Sequence, residues 1–366
     1  MSEWSQGTLG DMIELKRGYD LPSQARRLGR VPIVSSSGPS GLHDESKVSA
    51  PGVVTGRYGT IGQVFYVDSD FWPLNTTLYV RDFKGNDPKF IAYFLRTLDF
   101  LTYSDKAAVP GVNRNHLHQA PVRWPDLSTQ RAIASLLSLL DEKIEFNRRT
   151  NETLESMVAA LYARATGAES LSDDLASIYD CCEVVYGAAF ASALFNSERI
   201  GQPLLRIRDL STESPAVFTS ELHPKAHLIK AGDIVVGMDG EFRAHLWGGA
   251  EVWLNQRVCA FVPKPGYSSA FVRNAIRAPL ALVEATETAT TVIHLGKSDI
   301  DRFRIPRLAP KALEVFNQVA DPMYARIVSN KRESQSLSIL RDTLLPRLLS
   351  GELRIPDAEK LAEQAL

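Results

Sequence analysis

This chain of 366 residues has few cysteines, no long apolar run and no sign of a signal peptide, and each of these narrows the class of protein. Its thiols are Cys181, Cys182 and Cys259, too few for a disulfide framework, so we expect a reducing, cytoplasmic setting and a core position for the adjacent pair. The most apolar run near the start, Pro51 to Val67, is broken by glycines and polar residues, and none approaches the ~20 apolar residues of a membrane span. The polar stretch Met1 to Gly10 does not resemble a signal peptide.

The chain also carries little net charge. Its 41 basic and 43 acidic residues give a formal charge of −2, whereas a nucleic-acid binder that works alone is usually more basic. Any DNA contact therefore uses local patches, or partners that share the phosphates. With 44% hydrophobic residues the chain is globular rather than disordered, and its length predicts two or three domains.

Signatures of catalysis are missing as well. The sequence contains no Walker A motif, no Asn/Asp-Pro-Pro-Tyr/Phe methyltransferase motif and no Cys/His spacing of a zinc site. The glycines Gly56, Gly59 and Gly62 are not spaced as in a dinucleotide-binding loop. They indicate a tight turn that needs glycine dihedral angles, and the same turn brings backbone close enough to contact a phosphate.

One pattern imitates a nuclease. Pro125-Asp126 followed by Asp141-Glu142-Lys143 fits the loose P-D…(D/E)-x-K arrangement, which needs carboxylates and a lysine around a metal on adjacent strands. Here the second element lies on a predicted helix, and so short a pattern is frequent by chance. We therefore expect no nuclease activity.

The most informative feature is an internal duplication. The segment WPLNTTLYV around Leu74-Asn75 is matched by VWLNQRVCAF around Leu254-Asn255, 180 residues later. Further matches at offsets of 180 and 181 lie on both sides. The repeat predicts two α+β halves: paired strands over Val53 to Val67, a strand over Trp72 to Val80 and a helix over Pro88 to Leu101. In the second half the counterparts are 233–236, 251–262 and 270–284, and the Ser/Asp-rich segment 167–174 is the expected linker.

Each half is followed by a heptad pattern. Apolar residues recur at spacings of four and three from Ile133 to Leu161, and again from Phe316 to Leu344. A single such stripe is usually one face of a core helix, but both copies carry polar residues in the middle, at 147/151 and 330/334. This favours two helices that pack on each other, over about 141–163 and 322–345, each roughly 35 Å long.

The expected geometry suits two half-sites on DNA. If the helices run antiparallel, a pseudo-twofold axis relates the halves, as in a dimer. A separation of about 35 Å matches one turn of B-DNA, the spacing at which dimeric proteins bind half-sites. Because the two halves differ in most residues, they would recognise two different half-sites with an unread gap between them.

The order of these motifs makes the sequence resemble the specificity subunit of type I restriction-modification enzymes. The resemblance covers nearly the whole chain, and its specificity lies in the order of the motifs, which occurs twice. The matching segments are PGVVTGRYGTIG at 51–62, LNTTLYV at 74–80, VPGVNRNHLHQAPVRWPDLSTQRAIASLL at 109–137 and LLPRLLSGELRIP at 344–356.

The resemblance implies an α+β fold with two target recognition domains, 1–127 and 168–308, followed by helical regions, 128–167 and 309–366. The two long helices form an antiparallel coiled coil and dock two methyltransferase subunits, which use S-adenosylmethionine to methylate adenine. Restriction subunits, which use ATP and Mg²⁺ to translocate and cleave DNA, join later. The chain itself is non-catalytic, binds no cofactor or metal, and recognises a bipartite double-stranded site without any membrane association.

Candidate DNA-contacting residues flank the glycine turns and strand ends, because Arg suits guanine edges and Asn or Gln suits adenine. They are Lys16, Arg17, Arg57, Tyr58, Lys106, Asn113, Arg114 and Asn115 in the first half and Arg206, Arg208, Arg243, Gln256, Arg257 and Lys297 in the second. For any one of them, a solvated surface position or a phosphate contact is the alternative. The second glycine stretch, 237–240, lacks the Arg-Tyr pair of the first, so roles of Arg57 and Tyr58 do not transfer directly.

Two questions stay open at this level, the role of the helix cations and the alternative function, whereas the histidines have an expected role. The paired cations Arg148-Arg149 and Lys331-Arg332 fit spacer phosphates and a plain helix surface equally well. The histidines at 116, 118 and 294 are expected to be structural. The alternative function is a two-fold protein scaffold without sequence-specific DNA binding.

Overall fold

The computed structural model describes residues 4–105, 111–169, 175–286 and 293–364. These residues form two compact units, the first built from two stretches of chain and the second from one. Unit 1 comprises Met1–Glu142 with Leu337–Leu366, and unit 2 comprises Lys143–Ser336. Within the described ranges no helix is both long and apolar enough to span a membrane.

The elements up to the first long helix are short strands and short helices. In chain order they are β1 (Trp4–Thr8), α1 (Leu9–Met12), β2 (Glu14–Arg17), β3 (Val31–Ser35), β4 (Gly38–His43), β5 (Gly52–Gly56), β6 (Val64–Val67), β7 (Trp72–Pro73), β8 (Thr77–Asp82), α2 (Pro88–Arg96), β9 (Ser104–Asp105), β10 (Gly111–Val112), α3 (Arg114–His118), β11 (Pro121–Pro125) and α4 (Leu127–Glu169). Short 3₁₀ turns lie at Ser23–Ala25 and Phe100–Tyr103.

The remaining elements repeat much of this order. They are β12 (Leu175–Ser177), α5 (Ile178–Cys181), β13 (Cys182–Tyr186), β14 (Phe195–Asn196), β15 (Gln202–Leu205), β16 (Phe218–Thr219), β17 (Leu228–Ile229), β18 (Ile234–Gly237), β19 (Ala244–Leu246), β20 (Val252–Leu254), β21 (Val258–Pro263), α6 (Ser269–Thr286), α7 (Lys297–Ile300), β22 (Arg304–Pro306), α8 (Pro310–Ser350) and α9 (Ile355–Glu363). Further 3₁₀ turns lie at Ser192–Leu194 and Ile207–Asp209.

The sheet topology bears out the duplication. Unit 1 has an antiparallel sheet in the order β2-β8-β5-β6, and unit 2 has one in the order β13-β21-β18-β19. A short parallel pair, β3 with β7 and β15 with β20, recurs beside each sheet, and so does an antiparallel pair, β1 with β11 and β12 with β22. The two halves therefore share strand order as well as sequence motifs.

A glycine explains why the Leu-Asn motif recurs. A Cβ on Gly18 would lie 2.2 Å from the carbonyl oxygen of Leu74, and one on Gly187 would lie 2.0 Å from that of Asn255. The next residue donates its backbone N–H to this segment in both units, Tyr19 to the Pro73 carbonyl at 2.8 Å and Ala188 to the Leu254 carbonyl at 3.1 Å. Only glycine permits so close an approach of two backbones.

Both halves also begin with the same helix start. Thr8 caps α1, with Asp11 returning a bond to the Thr8 backbone, and Ser177 caps α5 with Asp180 in the same role. Such a reciprocal pair satisfies two backbone donors that a helix start leaves unpaired. Cys181 and Cys182 lie in the core of unit 2, as expected; Cys259 is buried there too, and all three are free.

The long helices exceed the predicted bounds. α4 has 43 residues and α8 has 41, so each is roughly 60 to 65 Å long, and the 35 Å estimate from helix length is wrong. Asp126 extends α4 toward its start, because its carboxylate accepts from the backbone N–H of Thr129 at 3.0 Å. Pro322 and Pro346, expected to begin and end the second helix, lie inside α8; burial of Phe316, Ala320 and Ile327 outweighs the lost hydrogen bonds.

Within unit 2 these two helices run antiparallel. Lys143 pairs with Glu333 at 3.3 Å, while further along α4 the ring of Tyr162 meets that of Phe316 edge-on, with centroids 6.2 Å apart. The seam asparagines Asn147 and Asn330 are buried. The predicted polar interruption of the heptads is thus an internal part of the packing.

Two sequence-based element predictions need correction. The strand expected over Trp72 to Val80 is interrupted at 74–76, because these residues turn so that Thr77 donates to the Leu74 carbonyl at 2.9 Å. The helix expected over Pro88 to Leu101 ends at Arg96, where the Thr97 hydroxyl donates to the Phe94 carbonyl and competes with the helical bond. The expected linker is helical up to Glu169, and 170–174 lie outside the described residues.

Candidate nucleic-acid interface

The glycine turn of unit 1 presents an aromatic and a cationic side chain together. Arg57 and Tyr58 follow β5, and their backbone N–H groups both donate to the Thr76 carbonyl, at 2.9 and 3.2 Å. The Arg57 guanidinium lies over the Tyr58 ring, 4.5 Å from its centroid. Gly59 and Gly62 have φ angles of 76° and 82°, so the turn does require glycine dihedrals. The turn thus exposes hydrogen-bond donors beside a flat π surface.

A later segment completes this surface. Val112 donates its N–H to the Arg57 carbonyl at 3.0 Å, which places Gly111 directly beneath Tyr58. A Cβ on Gly111 would lie 2.1 Å from Cε1 of Tyr58. The ring therefore occupies the space that a side chain at position 111 would fill.

Sequence reasoning missed the hairpin that borders this turn. Ser36, between β3 and β4, lies against it: a Cβ on Gly59 would be 3.4 Å from Ser36 Oγ. Nearby, the Ser35 hydroxyl donates to the Gly38 carbonyl at 2.9 Å. The serine run at 35–37 was the available signal, but its separation from Gly59 in sequence concealed the contact.

The other predicted residues of the first half are spread more widely. Lys16 Nζ lies 3.4 Å from the Tyr19 hydroxyl, and Arg17 forms an exposed ion pair with Asp20 at 3.7 Å. Asn113 caps α3 by accepting from the Asn115 N–H at 3.0 Å. The side chains of Arg114 and Asn115 are exposed, and Lys106 lies outside the described residues.

His118 has the structural role expected of it. Its Nε2 accepts a hydrogen bond from the backbone N–H of Leu15 at 2.9 Å. Burial, with the Arg114 charge as a lesser cause, lowers the pKa of His118, so the neutral acceptor form is favoured. His118 therefore fastens α3 to β2 near the Arg57 turn.

Unit 2 reproduces the backbone frame of this turn. Met238, which occupies the place of Arg57, donates its N–H to the Arg257 carbonyl at 2.8 Å, as Arg57 does to Thr76. Leu295 donates to the Met238 carbonyl at 2.7 Å, as Val112 does to Arg57. The frame is shared, yet the side chains mounted on it differ at nearly every position.

The remaining predicted residues of the second half are held by acidic neighbours or stand on the surface. Arg206 pairs with the buried Asp209 at 2.8 Å, and Arg243 pairs with Glu284 at 2.6 Å. Lys297 pairs with Asp301 of its own helical turn at 2.9 Å. Arg208 and Gln256 have exposed side chains.

The helix cations behave differently in the two copies. Arg148 and Arg149 both bond Glu145 at 2.7 Å, and these bonds lower the pKa of Glu145 to about 2. Lys331 instead turns inward, where its Nζ bonds Glu213 Oε1 and the Leu246 carbonyl, both at 2.7 Å. Lys331 thus ties α8 to the sheet region of unit 2 and is not a surface cation.

Neither residue pair of the nuclease pattern forms a metal centre. Asp126 caps α4, whereas Asp141 accepts from the Tyr93 hydroxyl and from Arg341, both at 2.6 Å. Burial alone would raise the pKa of Asp141, but these two bonds outweigh it and the pKa is lowered. Among the described residues no group of three or more His, Cys, Asp or Glu side chains is arranged to hold a metal ion.

Residues 1–156 match the family model described as the type I restriction modification DNA specificity domain. The first 156 residues are therefore similar to a type I DNA specificity domain. It is 26% identical to the type I restriction enzyme EcoBI specificity subunit of Escherichia coli, over 60% of this chain and 47% of that protein. It is 20% identical to the HindI specificity subunit of Haemophilus influenzae, over 93% of this chain and 90% of the other.

A solved structure shares the fold of this chain. The type I restriction-modification S subunit from M. genitalium aligns with a TM-score of 0.62 at 17% identity, covering 95% of this chain and 96% of that one. The alignment with the E. coli relative spans about half the length of that protein.

Proposed function

We propose that this chain is the DNA sequence-recognition subunit of a type I restriction-modification complex and binds a bipartite, asymmetric double-stranded site. Residues 1–127 and 168–308 act as the two recognition domains, and 128–167 and 309–366 as the helical regions between and after them. The observation that carries the proposal is the repeated backbone frame around Arg57 and Met238, which bears different side chains in the two units. Two domains with one fold and two surface chemistries suit two unlike half-sites.

The long helices set the gap between the half-sites. We propose that α4 and α8 form an antiparallel coiled coil about a pseudo-twofold axis, as in a covalently joined dimer. The support lies within unit 2, where Asn147 donates to Ser334 and Asn330 donates to Asn151. Each bond joins the equivalent positions of the two helices, so the pair of bonds is symmetric. Polar seam residues of this kind fix the register and orientation of paired helices.

Partners supply the chemistry. Two methyltransferase subunits that use S-adenosylmethionine would methylate adenine, and restriction subunits that use ATP and Mg²⁺ would cleave. The long helices carry exposed apolar side chains suited to such partners, among them Phe146, Met157, Val315 and Ile339. A net charge of −2 also agrees with partners that share the phosphate contacts.

Selection from a random duplex library tests the proposal. The purified full chain, alone and co-expressed with a type I methyltransferase subunit, should enrich two short motifs separated by an unread gap of fixed length. Affinity should fall steeply as salt is raised, because phosphate contacts release counterions. The chain alone should transfer no methyl group. Binding of the methyltransferase without any enriched DNA motif would favour a protein scaffold instead.

A further inference from the structure

In unit 2, three polar side chains from separate segments meet at one point of the shared frame. His294 Nδ1 lies 2.7 Å from Asp239 Oδ1, and Nη1 of Arg257 lies 3.4 Å from both that oxygen and His294 Nδ1. The Asp239 side chain is 27% exposed, whereas those of His294 and Arg257 are 45% and 58% exposed. The carboxylate thus forms the base of the cluster, and the guanidinium and imidazole face solvent.

The backbone fixes all three segments. Asp239 and His294 form an antiparallel bridge, with Gly240 donating to the Ile293 carbonyl at 3.2 Å. Arg257 has a φ of 72°, a conformation that a residue with a side chain adopts at a cost of about 1 kcal/mol or more. Glycine would avoid that cost, so the arginine side chain is retained at an energetically unfavourable position.

Comparison with unit 1 shows a reciprocal exchange. Tyr58 holds the position of Asp239, and Gly111 holds that of His294. In unit 1 the large ring comes from the turn and the facing residue has no side chain; in unit 2 the turn carries the small carboxylate and the facing residue carries the ring. The same space is therefore filled by an aromatic ring in both units, delivered from opposite segments.

We infer that these equivalent positions are the base-reading centre of each recognition domain, and that Arg257, anchored by Asp239 and flanked by His294, recognises guanine in the second half-site. A guanidinium held through Nη1 can present its other N–H groups to O6 and N7 of guanine, the commonest specific arginine contact. Arg57 stacked on Tyr58 occupies the first domain's centre. This inference rests on the proposed function.

The test repeats the duplex selection with full-length variants. Arg257→Gly removes the guanidinium and suits the positive φ, so the fold should be retained; His294→Gln is the second variant. Both should reduce the preference for guanine at one position of one half-site by about tenfold or more. The other half-site and the gap should not change. Lys230→Ala, in the same domain but before β18 and paired with Glu251 at 3.8 Å, is the matched control and should leave the motif unaltered.

The outcomes separate the two proposals. A wild-type chain that enriches no motif overturns DNA recognition and this inference with it. A wild-type bipartite motif that Arg257→Gly and His294→Gln both retain overturns the inference alone. Loss of the whole motif in a variant whose thermal unfolding matches wild type also counts against a role at a single base pair.

Discussion

Asn330 donates its side-chain amide to Oδ1 of Asn151 at 2.8 Å, and the equivalent bond from Asn147 reaches Oγ of Ser334 at 3.3 Å. Asn147 also donates to Glu333 at 2.7 Å. Yet Oδ1 of Asn147 and Oδ1 of Asn330 are buried and accept no protein hydrogen bond. The pairing of α4 with α8 within unit 2 therefore contains polar atoms that cost stability while their bonds select one alignment.

Replacing both seam asparagines should raise stability and weaken alignment. The double variant Asn147→Leu/Asn330→Leu removes two buried unsatisfied oxygens, so we expect the free energy of unfolding to rise by about 1–3 kcal/mol in urea titration. Hydrogen exchange along the two helices should become heterogeneous. Ser334→Ala, which removes a single partner, is the control with a small effect. A clear loss of stability in the double variant would contradict this account.

Breaking the inward ion pair of α8 should destabilise unit 2. Lys331→Met leaves Glu213, whose side chain is 9% exposed, without its cation, and we expect a loss of about 3 kcal/mol in thermal or urea unfolding. Arg332→Met alters the exposed neighbour and should change little. Adding Glu213→Gln to Lys331→Met should recover part of the loss; no recovery would show that the pair is not the cause.

His245 should make the folded state sensitive to acid. Burial, followed by the charges of Lys331, Arg273 and Arg243, lowers its pKa to about 4, while an unfolded histidine titrates near 6.5. Between these values the unfolded chain binds the extra proton, so the free energy of unfolding should fall as pH drops from about 6.5 to 4. His245→Gln should flatten that part of the pH profile, measured by urea unfolding at each pH. An unchanged slope would exclude His245 as its source.

A methyl group on Gly111 should alter one half-site only. Its Cβ would lie 2.1 Å from Tyr58 Cε1, so Gly111→Ala must displace the ring and the Arg57 guanidinium stacked on it. In duplex selection we expect altered preference in the first half-site and an unchanged second one. Tyr58→Ala combined with Gly111→Ala relieves the clash, so the backbone should return while the ring's contribution stays lost. A change in both half-sites would contradict two independent recognition domains.

Helix length should set the gap. Inserting four residues, about one turn, after Arg149 and after Arg332 adds roughly 6 Å to each helix. Under the proposed function the unread gap should grow by about two base pairs in duplex selection while both half-sites persist. Changed half-sites with an unchanged gap would mean that the helices do not determine spacing.

The duplication was legible in the sequence because motifs such as Leu74-Asn75 and Leu254-Asn255 sit where backbones touch, leaving little freedom to vary. The heptad asparagines could be recognised for a different reason, because a polar residue interrupts an otherwise apolar stripe. Helix ends were not: Pro322 marks a boundary by local preference, and the packing of distant residues overrides it.

The side chains of the candidate interface were harder to foresee. Arg57 and Tyr58 were found because they interrupt a glycine turn. His294 was expected to be structural, since no local pattern links it to Asp239, 55 residues away. The cluster can be recognised only once strand pairing brings the segments together. The repeat offset aligns Tyr58 with Asp239, so it does not show that the ring of His294 takes the place of the Tyr58 ring.

The same capping box, Thr8 with Asp11 and Ser177 with Asp180, begins the first helix of each half. Each half therefore contains the residues that initiate its own first helix. A segment such as 173–308 carries its own initiating turn and its own closing strand, β22, which pairs with β12. Shuffling such a segment between relatives would leave the junctions chemically unchanged. Under the proposed function, such an exchange would combine different target sites without a change of fold.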